Sequence, residues 1–194
     1  MTENISHKIF DSSSNFFQKG LASAKQSFEM ILKSPVQLEE INYNHSEFDM
    51  SGYVGEDKCH VIKTQLHGDI DGASFLIFSE KEIESIIKYC LPQNFWGNET
   101  EEQKKMRSEF INEIDNIMSS SVITEMANDL DVFLYGGVPE PDELTANAMN
   151  KFLAEQSSQF NTFYQFKASF FGTELGISPR FIWMFNEKLA EKIS

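Results

Sequence analysis

The sequence predicts an α+β fold built from a duplicated unit: an antiparallel β-sheet with packed helices, one of them long. Three observations carry this reading. Two strand-like pairs, HVIKTQLHG with GASFLIFS and TFYQFKASFF with RFIWMF, are each followed by a short helical run. A far longer helical segment lies between them, roughly Glu101 to Leu130. Finally, Gly68 and Gly72 of the first pair recur as Gly172 and Gly176 in the second, so that each half reads helix, hairpin, helix.

Taken in order, the elements are these. The polar, Ser-rich start MTENISHKIFDSSS is expected to be a flexible N-terminal segment, residues 1–14. From Asn15 to about Lys33, Phe17, Leu21, Ala24, Phe28 and Leu32 keep helical spacing, and Pro35 closes the helix. The first hairpin turns through Asp-Ile-Asp between Gly68 and Gly72. Ser79, with Glu82 three residues on, forms a capping box for the helix EKEIESIIKYC, which stops at Leu91-Pro92. A turn-rich connector, PQNFWGNET, leads into the long helix. Beyond it come the short apolar run VFLYGGV, the breaker PEPDE, and a helix from about Thr145 to Glu155. The second strand pair and a terminal helix, NEKLAEKI, complete a single domain over 15–194, its repeat spanning about 15–92 and 101–194.

Composition excludes several functions. With 194 residues, 41% hydrophobic and 13% aromatic, the chain can bury one real core. Its net charge of −14 argues against nucleic-acid backbones and anionic membrane surfaces, but leaves a partner with a basic patch open. Neither a signal peptide nor a run long enough to span a bilayer is visible, so a cytoplasmic protein is expected. Cys59 and Cys90 stand in no metal-binding spacing and read as reduced, buried thiols. His60 and His67, seven residues apart on one strand, face opposite ways and make no ligand pair.

On the long helix, Met106, Phe110, Ile114, Ile117 and Ser121 are expected to face the core. Glu109, Glu113, Asn116 and Ser120 form the adjoining polar stripe. Glu113 and Asn116, three residues apart, lie side by side. A solvated helix face commonly carries such a pair, and so does a site that positions a water molecule. Ser119, Ser120 and Ser121 have no recognisable His–Asp partners, which argues against a serine nucleophile.

Pro139 follows Asn116 at a fixed distance, giving Glu-x-x-Asn, twenty-two residues, then Pro. In this pattern, and in FEMILKS, GDIDGASFLIF and the late strand pair, the chain resembles the CheC/CheX/FliY family of chemotaxis phosphatases from about Phe16 onward. That family's motif opens with Asp or Ser, where this chain has Glu109. Laid on each other at an offset of 94, the two halves set Phe16, Lys19 and Ala22 against Phe110, Glu113 and Asn116, so the first helix lacks the motif and the chain resembles the CheX-like members, with one site.

The resemblance implies a phosphatase for the aspartyl phosphate of a phosphorylated CheY-like response regulator, with Glu113 and Asn116 as its catalytic pair. Glu109, Asn112 and Ser120 would contact the partner, and the protein would form a homodimer. No cofactor is expected on this chain; Mg2+ would arrive with the receiver domain. A carboxamide both donates and accepts, so Asn116 could hold a water in line with the phosphoryl group. An exposed carboxylate is a weak base at neutral pH, and the resemblance gives Glu113 a different part, pairing with the receiver's active-site lysine. Two alternatives stay open: a non-catalytic receiver-binding adaptor or flagellar-switch-like module of the same fold, and a ligand-sensing α+β domain.

Overall fold

Phe17, Leu21, Ala24, Phe28 and Leu32, the stripe that defines the first helix, are all fully buried. Helix α1 runs Thr2–Leu32 and packs this stripe against the second long helix, α3, Glu101–Leu130. The computed structural model describes residues 2–45, 57–96, 100–160 and 163–193. Because α1 begins at Thr2, the expected boundary between a flexible segment 1–14 and the domain is not a break in secondary structure. No proline or glycine interrupts residues 2–19, so nothing in the backbone forces one there.

Among the described residues seven strands follow: β1 Val36–His45, β2 Lys58–Gly68, β3 Gly72–Ser79, β4 Leu134–Gly136, β5 Glu140–Thr145, β6 Phe163–Gly172 and β7 Arg180–Asn186. Helix α2, Glu80–Cys90, follows β3; α4, Ala146–Ser157, follows β5; and α5, Lys188–Ile193, follows β7. All pairings are antiparallel, in the order β1-β6-β7-β3-β2-β4, with β5 also paired to β2. This order is a palindrome. Exchanging the halves turns β1 into β4, β6 into β2 and β7 into β3, and leaves the sheet unchanged. The two long helices obey the same symmetry. Ser27 of α1 and Ser121 of α3 are equivalent in the repeat, and their hydroxyls meet at 2.9 Å. The pseudo-twofold axis therefore passes between these two serines, and small side chains there let the helices approach closely.

Local chemistry matches the sequence at several points. Ser79 caps α2, accepting from the Glu82 amide, while the Glu82 carboxylate accepts from the Ser79 amide at 2.7 Å. The other Glu82 oxygen accepts from the Ser178 amide at 2.6 Å, tying this cap to the second half of the chain. Cys59 and Cys90 are free thiols, Cys59 buried and Cys90 half-buried, and burial pushes both up.

Three expectations need correction. The segment VQLEEINYNH forms β1, an edge strand absent from the expected set; a register shift between Glu39 and Asn42 breaks its alternation. Of PEPDE, Glu140 to Glu143 do not break the chain but run in β5, where Pro141 is tolerated because, among the described residues, the strand pairs on one side only. The buried arc of α3 is rotated from the expected one. Met106 is 39% exposed and Phe110, Ile117 and Ser121 are half-buried, whereas Ile111, Ile114, Asp115, Met118, Ser119, Val122 and Met126 face inward. Residues 97–99 of the connector and Thr162, at the expected start of a strand, lie outside the described residues.

Gly68 closes β2 at φ +128°, and a Cβ there would run into the Phe133 carbonyl oxygen. Gly176 also has positive φ, +62°, but open space around it. Gly68→Ala is therefore expected to cost about 2–3 kcal/mol and Gly176→Ala about 1 kcal/mol. Urea unfolding midpoints of the two variants would check the difference.

Candidate functional site

The site is built on α3, a rod of about 45 Å at 1.5 Å per residue. Thr100 caps its start in a reciprocal box with Gln103, whose side chain also donates to the Asn94 carbonyl at 2.7 Å. Asp131, at φ +50°, ends it in a left-handed turn.

Two sets of polar contacts clamp the middle of this helix. On the sheet side, Thr64 of β2 donates to the Asp115 carboxylate at 2.6 Å, Ser119 donates to it at 3.2 Å, and Ser119 meets Ser74 of β3 at 3.1 Å. On the α1 side, the Ser27–Ser121 contact is followed by Ser23 donating to Glu125 at 3.0 Å and Lys19 pairing with Asp129 at 2.7 Å. Gly20 completes this seam, since a Cβ there would lie 3.0 Å from a Val122 methyl. A helix fixed on two flanks presents its outer face with little freedom, as a positioning site needs.

That outer face carries the expected residues. Glu109, Glu113, Asn116 and Ser120 are exposed along one line, and Asn112 is half-buried beside them. Neither Glu113 nor Asn116 has a hydrogen-bond partner among the described residues. The pair is thus both accessible and uncommitted. Glu109 is engaged by its own helix: Lys105 approaches it at 3.7 Å, with both groups exposed. Pro139 sits in the link between β4 and β5, where the Gly137 amide donates to the Gln65 carbonyl at 2.7 Å and Gly136 packs on Ile123 of α3. The motif proline therefore belongs to a segment held against the second half of the same helix.

The equivalent place on α1 has Lys19 and Ala22, and Lys19 is spent on Asp129. Ser119 and Ser121 are structural, bonded as above, and only Ser120 of the triplet is exposed. His60 bonds Glu80 at 2.6 Å and lies 3.5 Å from Glu143, whereas His67 leans on Tyr135. Among the described residues, no three His, Cys, Asp or Glu side chains gather to hold a metal, and no helix is long and apolar enough to cross a membrane.

Asp115 was not singled out by the sequence. It precedes Asn116 but points the opposite way, fully buried, and burial pushes its carboxyl up to about 7 against the two hydroxyl donors that favour the charged form. The signal was present: a carboxylate between Ile111, Ile114 and Met118 falls in the buried arc once the helix phase is right.

No family model matches the sequence, and no curated protein sequence does. Solved structures do match. FliY from Thermotoga maritima aligns over 95% of this chain and 93% of its own, with a TM-score of 0.68 and 16% identity. CheX from Borrelia burgdorferi, solved as a CheX–CheY–BeF3–Mg2+ complex, covers 89% and 98% with a TM-score of 0.60 and 12% identity. The chain has the CheC/CheX/FliY fold. The FliM middle domain from Vibrio alginolyticus shares it too, at a TM-score of 0.57 and 7% identity over 94% of this chain and 97% of that one. Within the CheX-type fold, the exposed Glu113–Asn116 pair on α3 is a chemically distinctive surface, because α1, its counterpart in the pseudo-symmetry, offers no such pair.

Proposed function

We propose that this protein is a cytoplasmic phosphatase that hydrolyses the aspartyl phosphate of a CheY-like response regulator, with one site per chain. The observation that carries the reading is the Glu113–Asn116 pair: exposed, adjacent, with side chains that have no hydrogen-bond partner among the described residues, and mounted on a doubly clamped helix. The CheX–CheY complex among proteins of the same fold supports a receiver as the partner.

An acyl phosphate is already activated, so the task is to place a water opposite the departing carboxylate oxygen. The Asn116 carbonyl oxygen accepts from that water while its NH2 donates to a phosphoryl oxygen; being neutral, it does not repel the anion. The water oxygen bonds to phosphorus as the acyl O–P bond breaks; the electron pair of that bond regenerates the receiver's aspartate carboxylate, and inorganic phosphate departs, one proton of the water staying on it and the other passing to solvent. Glu113 docks the receiver by pairing with a lysine of its phosphorylation pocket, and that desolvated charge pair sets the register. Glu109, Asn112 and Ser120 flank the contact. The magnesium ion belongs to the receiver.

The test is the lifetime of a phosphorylated CheY-like receiver, read as phosphate release with and without this protein. Marked shortening at substoichiometric amounts supports the proposal. Binding without shortening would replace it with the second reading, a receiver-binding adaptor, which Glu109 and the shared FliM fold favour. A homodimer accompanies the proposal: among the described residues β1 ends the sheet with one edge unpaired, and Ile41 is 43% exposed. Sedimentation as a monomer at micromolar concentration would discard it.

A further inference from the structure

Beside the motif stripe, α3 forms one wall of a half-open cleft of about 640 Å³, whose other walls come from β2, α2 and β5. Arg107 lies in it. The residue is only 7% exposed, and among the described residues its guanidinium makes one hydrogen bond, from Nη1 to the Trp96 carbonyl at 2.8 Å. No carboxylate pairs with it among the described residues. A guanidinium keeps its charge, and burying one without a counter-charge is costly.

The acids of the cleft are already engaged. Glu80 and Glu143 converge on His60, with Lys58 3.9 Å from Glu143, and Asp142 accepts from the Glu143 amide at 2.8 Å. Lys104 is paired with Glu101 at 2.7 Å. Arg107 is thus the buried cation of the cleft, and it has no carboxylate partner among the described residues. In a chain of net charge −14, an exposed-to-ligand buried cation is a selective feature. The floor beside it is apolar, formed by Ile62, Ile83 and Ile111.

We propose that this cleft binds a small organic anion, its carboxylate or phosphate gripped by the Arg107 fork and its apolar body laid on Ile62, Ile83 and Ile111. A planar fork suits either oxyanion, and the volume falls in the range of small-molecule pockets. The proposal does not depend on phosphatase activity. Asn112 lines the cleft and also flanks the motif stripe, so an occupant would sit next to any docked partner.

The test uses benzoate, phenyl phosphate and inorganic phosphate as probes, titrated into the full chain while the Arg107 Nε–Hε resonance is followed. Benzoate and phenyl phosphate should shift it saturably, and phenyl phosphate should bind about tenfold more tightly than inorganic phosphate, the gain expected from burying a ring. Arg107→Gln, which lacks that resonance and is therefore followed alongside the parent protein by isothermal titration calorimetry, should lose binding of both organic probes. Because that change also removes the Trp96 contact, Ser108→Phe, at an exposed position on the cleft wall, provides a second arm: it should block phenyl phosphate while leaving the fold intact. No saturable shift, equal affinity in Arg107→Gln, equal affinity for the two phosphates, or binding of a glutamate-rich peptide in place of the small probes would each overturn the proposal. With an active preparation in hand, failure here leaves the receiver assay untouched, so the two readings fall separately.

Discussion

Asn116→Ala is expected to cut the acceleration of receiver dephosphorylation by about 10²–10³-fold, with Tm unchanged to within a degree or two. The magnitude follows from the role: a side chain that orients water and meets the phosphoryl group contributes positioning and electrostatic stabilisation, and losing one such donor costs that much. The unchanged stability follows from exposure, since the amide has no partner within the described residues to lose. Asn116→Asp separates orientation from charge. It keeps an acceptor but places an anion against the phosphoryl group, so it should be at least as inactive as the alanine variant. Glu113→Ala should behave differently, weakening receiver binding and raising KM by more than it lowers kcat. Stopped-flow phosphate release over a range of receiver concentrations would give both constants. Full activity in Asn116→Ala would sink the mechanism, and an effect on KM alone would move Asn116 from chemistry to docking.

Glu109 bears on the same measurement. It stands where the resembled motif has Asp or Ser, and Lys105 approaches it at 3.7 Å. Exposed pairs of this kind contribute little to stability, but the lysine offsets part of the negative charge near Glu113. Whether a longer carboxylate at this position supports turnover or only binding is read from the same phosphate-release course, which separates the phosphatase from the adaptor.

Much of the fold was legible because its signals are local. The Ser79–Glu82 box, the glycines closing both hairpins and the periodicity of α1 each state their conformation within a few residues. What escaped is nonlocal. Strand β1 is a strand because β6 pairs with it across more than a hundred residues, and its bulge erases the alternation that would announce it. Strand β5 contains Pro141 and exposed acids, yet β2 holds it in register from Lys58 to Lys63. The phase of α3 was misjudged because this helix is covered twice, by α1 and by the sheet. Asp115 and Ser119, polar by type, belong to the buried arc, while Met106, apolar by type, does not. The stripe of Glu109, Glu113, Asn116 and Ser120 survived that error because it lies on the side neither neighbour reaches. Arg107 could not have been found from sequence, since its meaning comes from a cleft assembled by four separate elements.

Asp115→Asn is expected to make the protein more stable above neutral pH, an unusual result for a fully buried, hydrogen-bonded carboxylate. The reason is the direction of its shift. Burial raises the Asp115 carboxyl from an ordinary 3.8 to about 7, so the folded state prefers the protonated form more than the unfolded chain does. That preference stabilises the fold in full below the unfolded value near 3.8, and the contribution is withdrawn as pH climbs from about 4 through about 7. Above that range the fold holds a buried carboxylate supported by Thr64 and Ser119 hydroxyls but by no cation among the described residues. The withdrawn stabilisation amounts to about 4 kcal/mol. An asparagine is neutral throughout. Its Oδ1 still accepts from Thr64, and its Nδ2 can donate to the Ser119 hydroxyl, which is then free to donate to Ser74. Urea unfolding of both proteins from pH 4.5 to 8.5 is the measurement. The two stability curves should lie close together at the acidic end and separate toward pH 8, with the variant on top; the background titration of the other carboxylates cancels in the difference. Parallel curves, or a variant weaker at every pH, would show that Asp115 folds as an anion and that the α3 clamp depends on its charge.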